Sequence, residues 1–538
     1  MKLSAYLSIA LLAAGMSATV SCSQENEPDL TASSVQGLTI SISDSGYATT
    51  DGTRAIDQAY KTTFTDGDAI GVFAVRSGKV VEKISNRKFT FKEGNWELEG
   101  DPIEYKGTEF KYMKFFAYYP YSEDVKFDAG KWDAATQTGD PFESYVNTWN
   151  IQSDQSGDNY TKQDLMTSSS DAEGERLQGK VAFTMTHRMS LVVLEMPKLT
   201  YDFTNPGLDD YQMNVSPADF QINGKAAHPH YDAATHTYLA LVNPGKDFTI
   251  GGSYTGTQLM EYSAKGNLQG GNAKKYTIKD AGKISYTLAV GDYFCADGSL
   301  VSKDAETVPA NVVGIVAYAG NPQPHVMAPD ACSDVQDALF RDYPSASHGL
   351  ILALNNAALE DGSTTSQYHS GKSGTYDTWF DDDAEWAGKF VYCNTSRNGS
   401  LKNDVLTMYP AFFGYNNTVL MTMVTEEGKG SPSTCDHACK FIQAYRSAVE
   451  LPASASPWYL PSAKELQQVA DNLSQLNSSL TKAGGQELVS TTAQSGHYWT
   501  SVLRSEVYQW THGMEGGLYT VLAERGSRAG QFRMMAAF

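Results

Sequence analysis

The feature that most constrains the fold is a thirteen-residue alternation of apolar and polar side chains in the chain's central part. The seven odd-numbered positions from Val181 to Val193 are apolar or aromatic, and Thr184 and Thr186 lie among the polar residues between them. A period of two over this length predicts one β-strand with a single buried face. His187 lies on the apolar face, so we expect it to be a hydrogen-bonded core residue rather than a ligand or a catalyst.

Shorter runs of the same kind fill residues 36–290. Residues 38–42 alternate between apolar and polar side chains, and residues 70–75 form a continuous apolar run of the kind found in buried strands. Gly, Asp and Asn separate these runs. Many short strands with turn residues between them are typical of β-sandwiches.

Helical patterns appear only beyond residue 325. Ser462 and Glu465 have the spacing of a capping box, and apolar residues three and four apart continue from Leu466 to Leu480. This predicts one continuous helix from Ser462 to Leu480. Two further helices are expected over 434–450 and 333–342, and together with the aromatic runs of 497–538 they predict a separate α+β domain over 291–538.

The first residues carry export signals. Met1 and Lys2 precede a charge-free run over 3–16, shorter than the about 20 residues that a membrane-spanning helix needs. We predict a signal peptide over 1–21, a lipidated Cys22 and a tether over 22–35. The site resembles a bacterial lipobox, although Thr19 stands where that motif carries Leu. Ordinary cleavage beside an incidental cysteine is the alternative.

Acidic residues follow Cys22 closely, at Glu25, Glu27 and Asp29. They are similar to acidic export tags that carry lipoproteins to the outer face of some outer membranes, and a plain flexible linker is the alternative. We expect a surface-exposed lipoprotein that is held in the cell outer membrane by its lipid anchor.

Charge and cysteine usage exclude several classes of function. The chain has 41 basic and 62 acidic residues, and its net charge of −21 disfavours binding to nucleic acid. Five of the six cysteines lie beyond residue 290, and the sequence leaves their connectivity open. They are Cys295, Cys332, Cys393, Cys435 and Cys439. Since no spacing singles out a metal site or a nucleophile with its base, we predict no metal, no cofactor and no enzyme.

Several short motifs in the first half resemble the fimbrillin family, the type V pilus subunits that are exported as lipoproteins. They are TRA at 53–55, TFTDGDAIGVFA at 63–74, FAYYP at 116–120, DLM at 164–166 and HR at 187–188. The similarity covers about 36–290. The family fold implies two tandem transthyretin-like β-sandwiches, over 36–180 and 181–290.

The second half is similar to a different group, the Lcl-type C-terminal domain of bacterial surface proteins, which has a C-type-lectin-like architecture. The matching motifs are VGDYFCADG at 290–298, HGLILAL at 348–354, WYLPSAKEL at 458–466, YWTS at 498–501 and RMMAAF at 533–538. The combined resemblance implies a mainly β chain of two β-sandwiches followed by an α+β lectin-like domain over 291–538.

The fimbrillin resemblance also implies a route of assembly. Family subunits are cut after an arginine, and Arg54 followed by Ala55 matches that position. Removal of the N-terminal strand exposes backbone groups, and a strand from another pilus subunit fills the groove by strand addition. An uncut loop arginine is the alternative.

The C-terminal half departs from stalk subunits, which donate a C-terminal strand. Because a different domain occupies 291–538, we expect a subunit that accepts a strand without donating one. Such a subunit would be a pilus-tip or accessory adhesin that binds a host or bacterial surface glycan or protein. The alternative is a non-polymerising surface lipoprotein that binds glycans for a nutrient-uptake system.

Flat aromatic rings beside carboxylates, concentrated in 361–399, suit the stacking of sugars and hydrogen bonding to hydroxyl groups. The alternative is that this segment has no binding role, and that it contains a core-packed tryptophan beside a solvated acidic loop. The candidate ligand contacts are Tyr368, Tyr376, Trp379, Asp381, Asp382, Asp383 and Trp386.

Overall fold

The computed structural model describes residues 36–49, 60–105, 109–169, 179–369, 379–395, 404–426, 435–489, 496–504, 508–522 and 530–538. Cys22, Arg54, Ala55 and Tyr376 lie outside these residues. The described part of the chain is mainly β with several sheets, as the alternating runs predicted. No helix within it is long and apolar enough to cross a membrane.

The strands up to residue 187 are β1 (Gln36–Gly37), β2 (Thr39–Asp44), β3 (Ala48–Thr49), β4 (Ala69–Arg76), β5 (Lys79–Val80), β6 (Arg87–Lys92), β7 (Asn95–Leu98), β8 (Glu104–Tyr105), β9 (Lys114–Tyr119), β10 (Trp132–Asp133), β11 (Thr138–Gly139), β12 (Met166–Ser169) and β13 (Lys180–His187). The next strands are β14 (Ser190–Glu195), β15 (Lys198–Phe203), β16 (Tyr211–Asn214), β17 (Pro217–Ile222), β18 (Lys225–Ala226), β19 (His230–Asp232), β20 (Thr237–Val242), β21 (Asp247–Thr255), β22 (Leu259–Asn267), β23 (Asn272–Thr277) and β24 (Lys283–Tyr286).

The strands of the C-terminal half are β25 (Tyr293–Cys295), β26 (Leu300–Val301), β27 (Val312–Ala319), β28 (Gly349–Ala353), β29 (Thr365–Ser366), β30 (Tyr498–Leu503), β31 (Tyr508–Gly513), β32 (Gly517–Leu522), β33 (Gly530–Gln531) and β34 (Met535–Ala537). The helices are α1 (Glu143–Asn147), α2 (Asn159–Gln163), α3 (Pro324–Met327), α4 (Ala338–Asp342), α5 (Trp379–Asp382), α6 (Asp404–Met408), α7 (Gly414–Glu426), α8 (Asp436–Ala448), α9 (Ala463–Asp471) and α10 (Leu473–Lys482).

The chain divides into two compact units. Unit 1 contains residues up to Ser45, then Lys61–Trp149 and Leu165–Thr186, and unit 2 contains Gly46–Tyr60, Asn150–Asp164 and His187–Phe538. The boundary predicted between 180 and 181 therefore falls inside β13, and the one between 290 and 291 falls inside unit 2. The division into two sandwiches and a third domain stays a prediction.

Unit 1 is built on one eight-stranded sheet in the order β2–β13–β12–β9–β4–β6–β7, with β5 attached to β4. Its two edge strands, β2 and β7, contact each other, so the sheet curls around the core. The continuous apolar run predicted at 70–75 is the buried part of β4. Aromatic residues such as Phe89, Phe115 and Tyr119 fill that core.

Unit 2 contains sheets of three, four and five strands, and its core runs across the sequence boundary at 290. The five-stranded sheet β19–β20–β14–β23–β3 has β14 at its centre. The Tyr201 hydroxyl donates to Leu300 O (3.4 Å) and accepts from Leu300 N (3.0 Å). The Tyr211 hydroxyl donates to Gly298 O (2.9 Å). These buried bonds tie residues on either side of 290 into one body.

The single strand predicted over 181–193 is two strands. β13 ends at His187 and β14 begins at Ser190. Arg188 and Met189, between them, belong to neither strand. β13 alternates between buried and exposed side chains, whereas every residue of β14 from Ser190 to Leu194 is buried. The alternation hides the break because the odd-numbered side chains on both sides of it are buried, although in β14 the even-numbered Val192 and Leu194 are the ones that join the main core of unit 2.

The helix predicted from Ser462 to Leu480 is also two helices, which meet at Asn472 with φ −117° and ψ 18°. Its predicted start is confirmed, because Ser462 caps α9 and Glu465 completes the capping box. The helix predicted over 434–450 is α8, and the one over 333–342 is a 3₁₀ turn followed by α4. The short helices α1 and α2 lie well before residue 325, contrary to the sequence prediction.

Candidate functional site

The segment before the predicted processing site supplies an edge strand to the sheet of unit 1. β2 pairs in parallel with β13, from Thr39 opposite Lys180 to Asp44 opposite Met185. Leu38 is buried, and Ile40 packs against the same core. Loss of this segment would therefore uncover both the hydrogen-bonding edge of β13 and part of an apolar core.

The same segment continues into unit 2 through β3, which pairs in parallel with β23. Tyr47, directly before β3, is buried, and its hydroxyl donates to Asp164 Oδ1 at 2.6 Å. The Tyr47 ring is stacked on His187, with ring centroids 3.9 Å apart. His187 Nδ1 lies 2.9 Å from Asp164 Oδ2. His187 is thus a buried core residue, as its place on the apolar face predicted.

The last strand, β34, is built into its own sheet. It is antiparallel to β28 at the edge of the sheet β26–β25–β27–β28–β34, and all three of its residues are buried. Phe538 follows it and is fully buried, with its ring 4.8 Å from that of Phe294 and 5.6 Å from that of Tyr211. Phe538 O also accepts hydrogen bonds from His348 N at 2.8 Å and Gly349 N at 3.3 Å. This strand cannot leave without opening the core of unit 2.

A surface in the C-terminal half combines an aromatic ring with cations, and we call Arg341, Trp386 and Lys389 the Trp386 surface. Asp383 Oδ1 accepts from Glu385 N (2.8 Å) and Trp386 N (3.2 Å), so a side-chain-capped turn positions the half-buried Trp386 ring. Lys389 Nζ lies 5.4 Å from the ring centroid, within the range of a cation–π interaction.

Arg341, in α4, is held from three directions. Its guanidinium donates to both carboxylate oxygens of Asp342 (2.8 and 3.1 Å) and to Lys389 O (3.3 Å). The guanidinium carbon lies 5.4 Å from the centroid of the Trp386 ring and 4.9 Å from that of Phe390. Such a fixed cation beside a partly exposed ring can bind polar or anionic groups that also stack on an aromatic face.

The neighbourhood of Arg341 is rigid on its buried side. The Tyr415 hydroxyl donates to Asp342 Oδ2 at 3.1 Å, and burial with the nearby Asp342 raises the pKa of Tyr415. At the start of α4, His325 Nδ1 lies 2.7 Å from the Oδ2 of the N-cap residue Asp337, whose side chain is fully buried. Phe340, which packs beside His325, is 37% exposed. Phe340, the residue before Arg341 in α4, is therefore a partly exposed apolar side chain.

The structure separates the predicted ligand contacts into different environments. Tyr368 is fully buried, with its ring 5.5 Å from that of Trp499 and its hydroxyl 3.5 Å from Met421 Sδ. A ring without accessible surface cannot stack on a sugar, so Tyr368 is removed from the proposed surface. Tyr376 lies outside the described residues, and Trp379 begins α5.

The acidic run lies on and after α5. Asp381 and Asp382 are exposed, whereas Asp383 is half-buried and uses one carboxylate oxygen to cap the Trp386 turn. No group of His, Cys, Asp and Glu in the described part of the chain could hold a metal ion. The residues of this candidate surface that sequence reasoning missed are Arg341 and Lys389, because their only signal, positive charge, gives no indication that they meet the same ring.

The five cysteines beyond residue 290 are buried thiols with no disulfide between them. Cys435 Sγ and Cys439 Sγ are 4.0 Å apart at the start of α8. Burial raises the pKa of Cys435 well above its usual value, which keeps this thiol protonated and unreactive.

Comparison with known proteins places the chain in a family. Residues 53–305 match a family model described as Fimbrillin-like. A Bacteroides ovatus protein, Fim1C, named as a candidate fimbrium tip subunit, is 31% identical over 529 residues, which are 94% of this chain and 94% of that protein. The chain belongs to the fimbrillin-like family. This confirms the family resemblance seen in its first half.

A solved structure of a fimbrial protein is similar to this chain over both of its halves. The crystal structure of a fimbrial protein from Bacteroides ovatus has 26% sequence identity and a TM-score of 0.52, and the match covers 94% of this chain and 100% of that one. Residues 291–538 are therefore part of the region shared with a fimbrial protein, and their lectin-like architecture stays a prediction.

Proposed function

We propose that this fimbrillin-like protein is a pilus-tip or accessory adhesin. It would be exported as a lipoprotein whose lipid is attached to Cys22, and it would accept a strand from another pilus subunit. Processing between Arg54 and Ala55 would release the segment that forms β2 and β3. The edge of β13 in unit 1 and the edge of β23 in unit 2 would then each present unpaired backbone groups with which a neighbour's strand could pair.

The observation that carries the tip assignment is the position of β34. A stalk subunit has to release a strand to its neighbour, whereas β34 is paired with β28 and followed by the fully buried Phe538. A strand that completes its own core is a poor donor, because donation would expose that core to water. The name of the Bacteroides ovatus relative, a candidate fimbrium tip subunit, supports the same assignment.

Attachment would then fall to residues 291–538. The Trp386 surface offers a half-buried indole ring within 5.4 Å of two cations, with the exposed carboxylates of Asp381 and Asp382 on α5 close in sequence. This combination suits a hydroxyl-rich or anionic glycan, or a protein loop with similar groups.

Location and processing test the proposal directly. We expect immunogold labelling of residues 291–538 to mark filament ends, and the mature N-terminus of surface-extracted protein to be Ala55 in filaments and acylated Cys22 in unprocessed protein. Labelling along filament shafts would contradict the tip assignment. An acylated Cys22 in all of the protein, with labelling on the cell surface only, would favour a non-polymerising glycan-binding lipoprotein.

The contact surface has its own test. We expect Trp386→Ala to reduce binding of the full chain to a mucin-glycan array by about 30-fold, the ratio that corresponds to the loss of about 2 kcal/mol at a binding hot spot. Tyr231→Ala is the matched control, because Tyr231 is also an aromatic residue and is 45% exposed. Equal binding by both variants, with unchanged thermal unfolding, would exclude Trp386 as a contact.

A further inference from the structure

The buried Tyr47 side chain is contacted by a carboxylate at its hydroxyl and by an imidazole ring at its face. Asp164 shares its two carboxylate oxygens, Oδ1 with the Tyr47 hydroxyl at 2.6 Å and Oδ2 with His187 Nδ1 at 2.9 Å. The side chains of Asp164 and His187 are each 1% exposed. The Tyr47 ring lies over the imidazole with an interplanar angle of 20°. Both the flat shape and the hydroxyl of the occupant are therefore matched by the pocket.

The backbone around Tyr47 fixes where this side chain must stand in a strand. Ala48, the next residue, donates from its N–H to Gly271 O at 2.8 Å and lies opposite Asn272. Tyr47 N donates to Tyr60 O at 3.1 Å, and Tyr60 lies on the far side of the predicted processing site. The walls of the pocket and the ladder partners of β3 would all remain with the processed chain.

A strand that replaces residues 36–49 would therefore need a particular kind of side chain at the position of Tyr47. A residue without a donor at this position would leave Asp164 Oδ1 buried and without the hydroxyl, and hydrogen bonds to a buried charged group are among the stronger ones in proteins. A small apolar residue would also leave the His187 ring uncovered. An aromatic ring that carries a hydroxyl satisfies both groups at once.

We infer that Asp164 and His187 form a reading pocket that selects a tyrosine in the incoming strand, placed directly before the two residues that pair with β23. The partner is thus a subunit whose donor strand carries Tyr at this register. The inference rests on the strand-acceptor part of the proposed function and adds the chemistry by which one donor is preferred over another.

Peptides of this chain's own residues 36–49 serve as the probe. A site-specific protease sequence is placed in 50–54, and the cleaved full chain is unfolded and refolded with equimolar isotope-labelled peptides, followed by mass spectrometry of the incorporated peptide. The wild-type peptide competes with Tyr47→Phe, which removes only the hydroxyl. Ser41→Ala is the matched control, since it removes an exposed hydroxyl from β2 of the same peptide.

We expect the wild-type and Ser41→Ala peptides to be incorporated equally, and the Tyr47→Phe peptide about 10- to 100-fold less. Equal incorporation of all three would overturn the reading pocket and leave the strand-acceptor proposal intact. Incorporation of none of them would overturn the strand-acceptor proposal itself, and the pocket with it. With Asp164→Leu in the chain, the preference for tyrosine over phenylalanine should disappear, and its persistence would also count against the pocket.

Discussion

Replacement of Arg533 by alanine is expected to lower the free energy of unfolding of unit 2 by about 3–5 kcal/mol. Arg533 is fully buried, and its guanidinium donates to Leu354 O (2.7 Å), Gln486 O (2.8 Å) and Asn356 Oδ1 (3.2 Å). Burial lowers its pKa to about 10, so the side chain stays cationic at neutral pH. Alanine would leave three acceptors without this donor, among them the buried Asn356 side chain, and would leave a cavity in place of the fully buried Arg533 side chain.

The measurement is the urea midpoint of unit 2, followed by tryptophan fluorescence because Trp458, Trp499 and Trp510 are all buried there. Arg533→Lys should lose less, since an ammonium keeps the charge and can still donate to more than one carbonyl. Lys440→Ala is the surface control, and a change of no more than about 0.5 kcal/mol is expected for it. A midpoint of Arg533→Ala equal to that of the surface control would contradict the argument.

Local patterns in the sequence predicted the start of α9 because a capping box is a local device. Ser462 and Glu465 are three residues apart, and the predicted bond from Ser462 N to Glu465 Oε2 is present at 2.5 Å. The remaining partners of Glu465 could not be predicted in this way. Gly414 lies fifty-one residues earlier in the chain, and only the tertiary fold brings its N–H to the same carboxylate.

The helix α7 was missed for a related reason. An apolar repeat of 3.6 residues is visible in a sequence only when one face of the helix is exposed to solvent. Nearly every described side chain of α7 is buried or half-buried. Its polar residues are inside as well: Asn416 donates to Val391 O (2.7 Å), and Asn417 donates to Ser501 Oγ (3.1 Å). Those polar residues interrupt the apolar pattern that would have indicated a buried helix.

The Trp386 surface also could be predicted only in part from local sequence patterns. Trp386 was predicted as a contact from its composition alone, and its half-buried position agrees with an accessible ring. Arg341, forty-five residues earlier, meets that ring only after α4 is placed beside the Trp386 turn. Tyr368, in contrast, has the same composition signal and is in the core. Composition therefore indicates a region, and the fold decides which of its rings can reach a ligand.

Glu465 is expected to give the second large effect, because one buried carboxylate joins three parts of unit 2. Its Oε2 accepts from Ser462 N (2.5 Å) and Gly414 N (3.0 Å), and its Oε1 accepts from the Tyr459 hydroxyl (2.9 Å). Glu465→Ala should lower the free energy of unfolding by about 3–5 kcal/mol, since two buried backbone donors and a hydroxyl lose their acceptor. The urea midpoint of unit 2 again measures the change.

Glu465→Gln is the matched variant, and it should lose only about 1 kcal/mol, because its carbonyl oxygen can accept from both backbone N–H groups while Tyr459 turns to accept from the amide. Equal losses for the two variants would contradict this assignment of the bonds.

The pH dependence tests the electrostatic part of the same argument. Burial raises the pKa of Glu465 above its ordinary value, so between the unfolded and folded pKa values the folded chain binds more protons than the unfolded chain. The contribution of Glu465 to the free energy of unfolding should therefore fall as the pH rises above about 4.3, the pKa of an exposed glutamate. Glu465→Gln lacks that titration, so its deficit relative to the wild type should shrink over this range. A deficit that widens with pH would mean that the three donors outweigh burial and hold the carboxylate ionised.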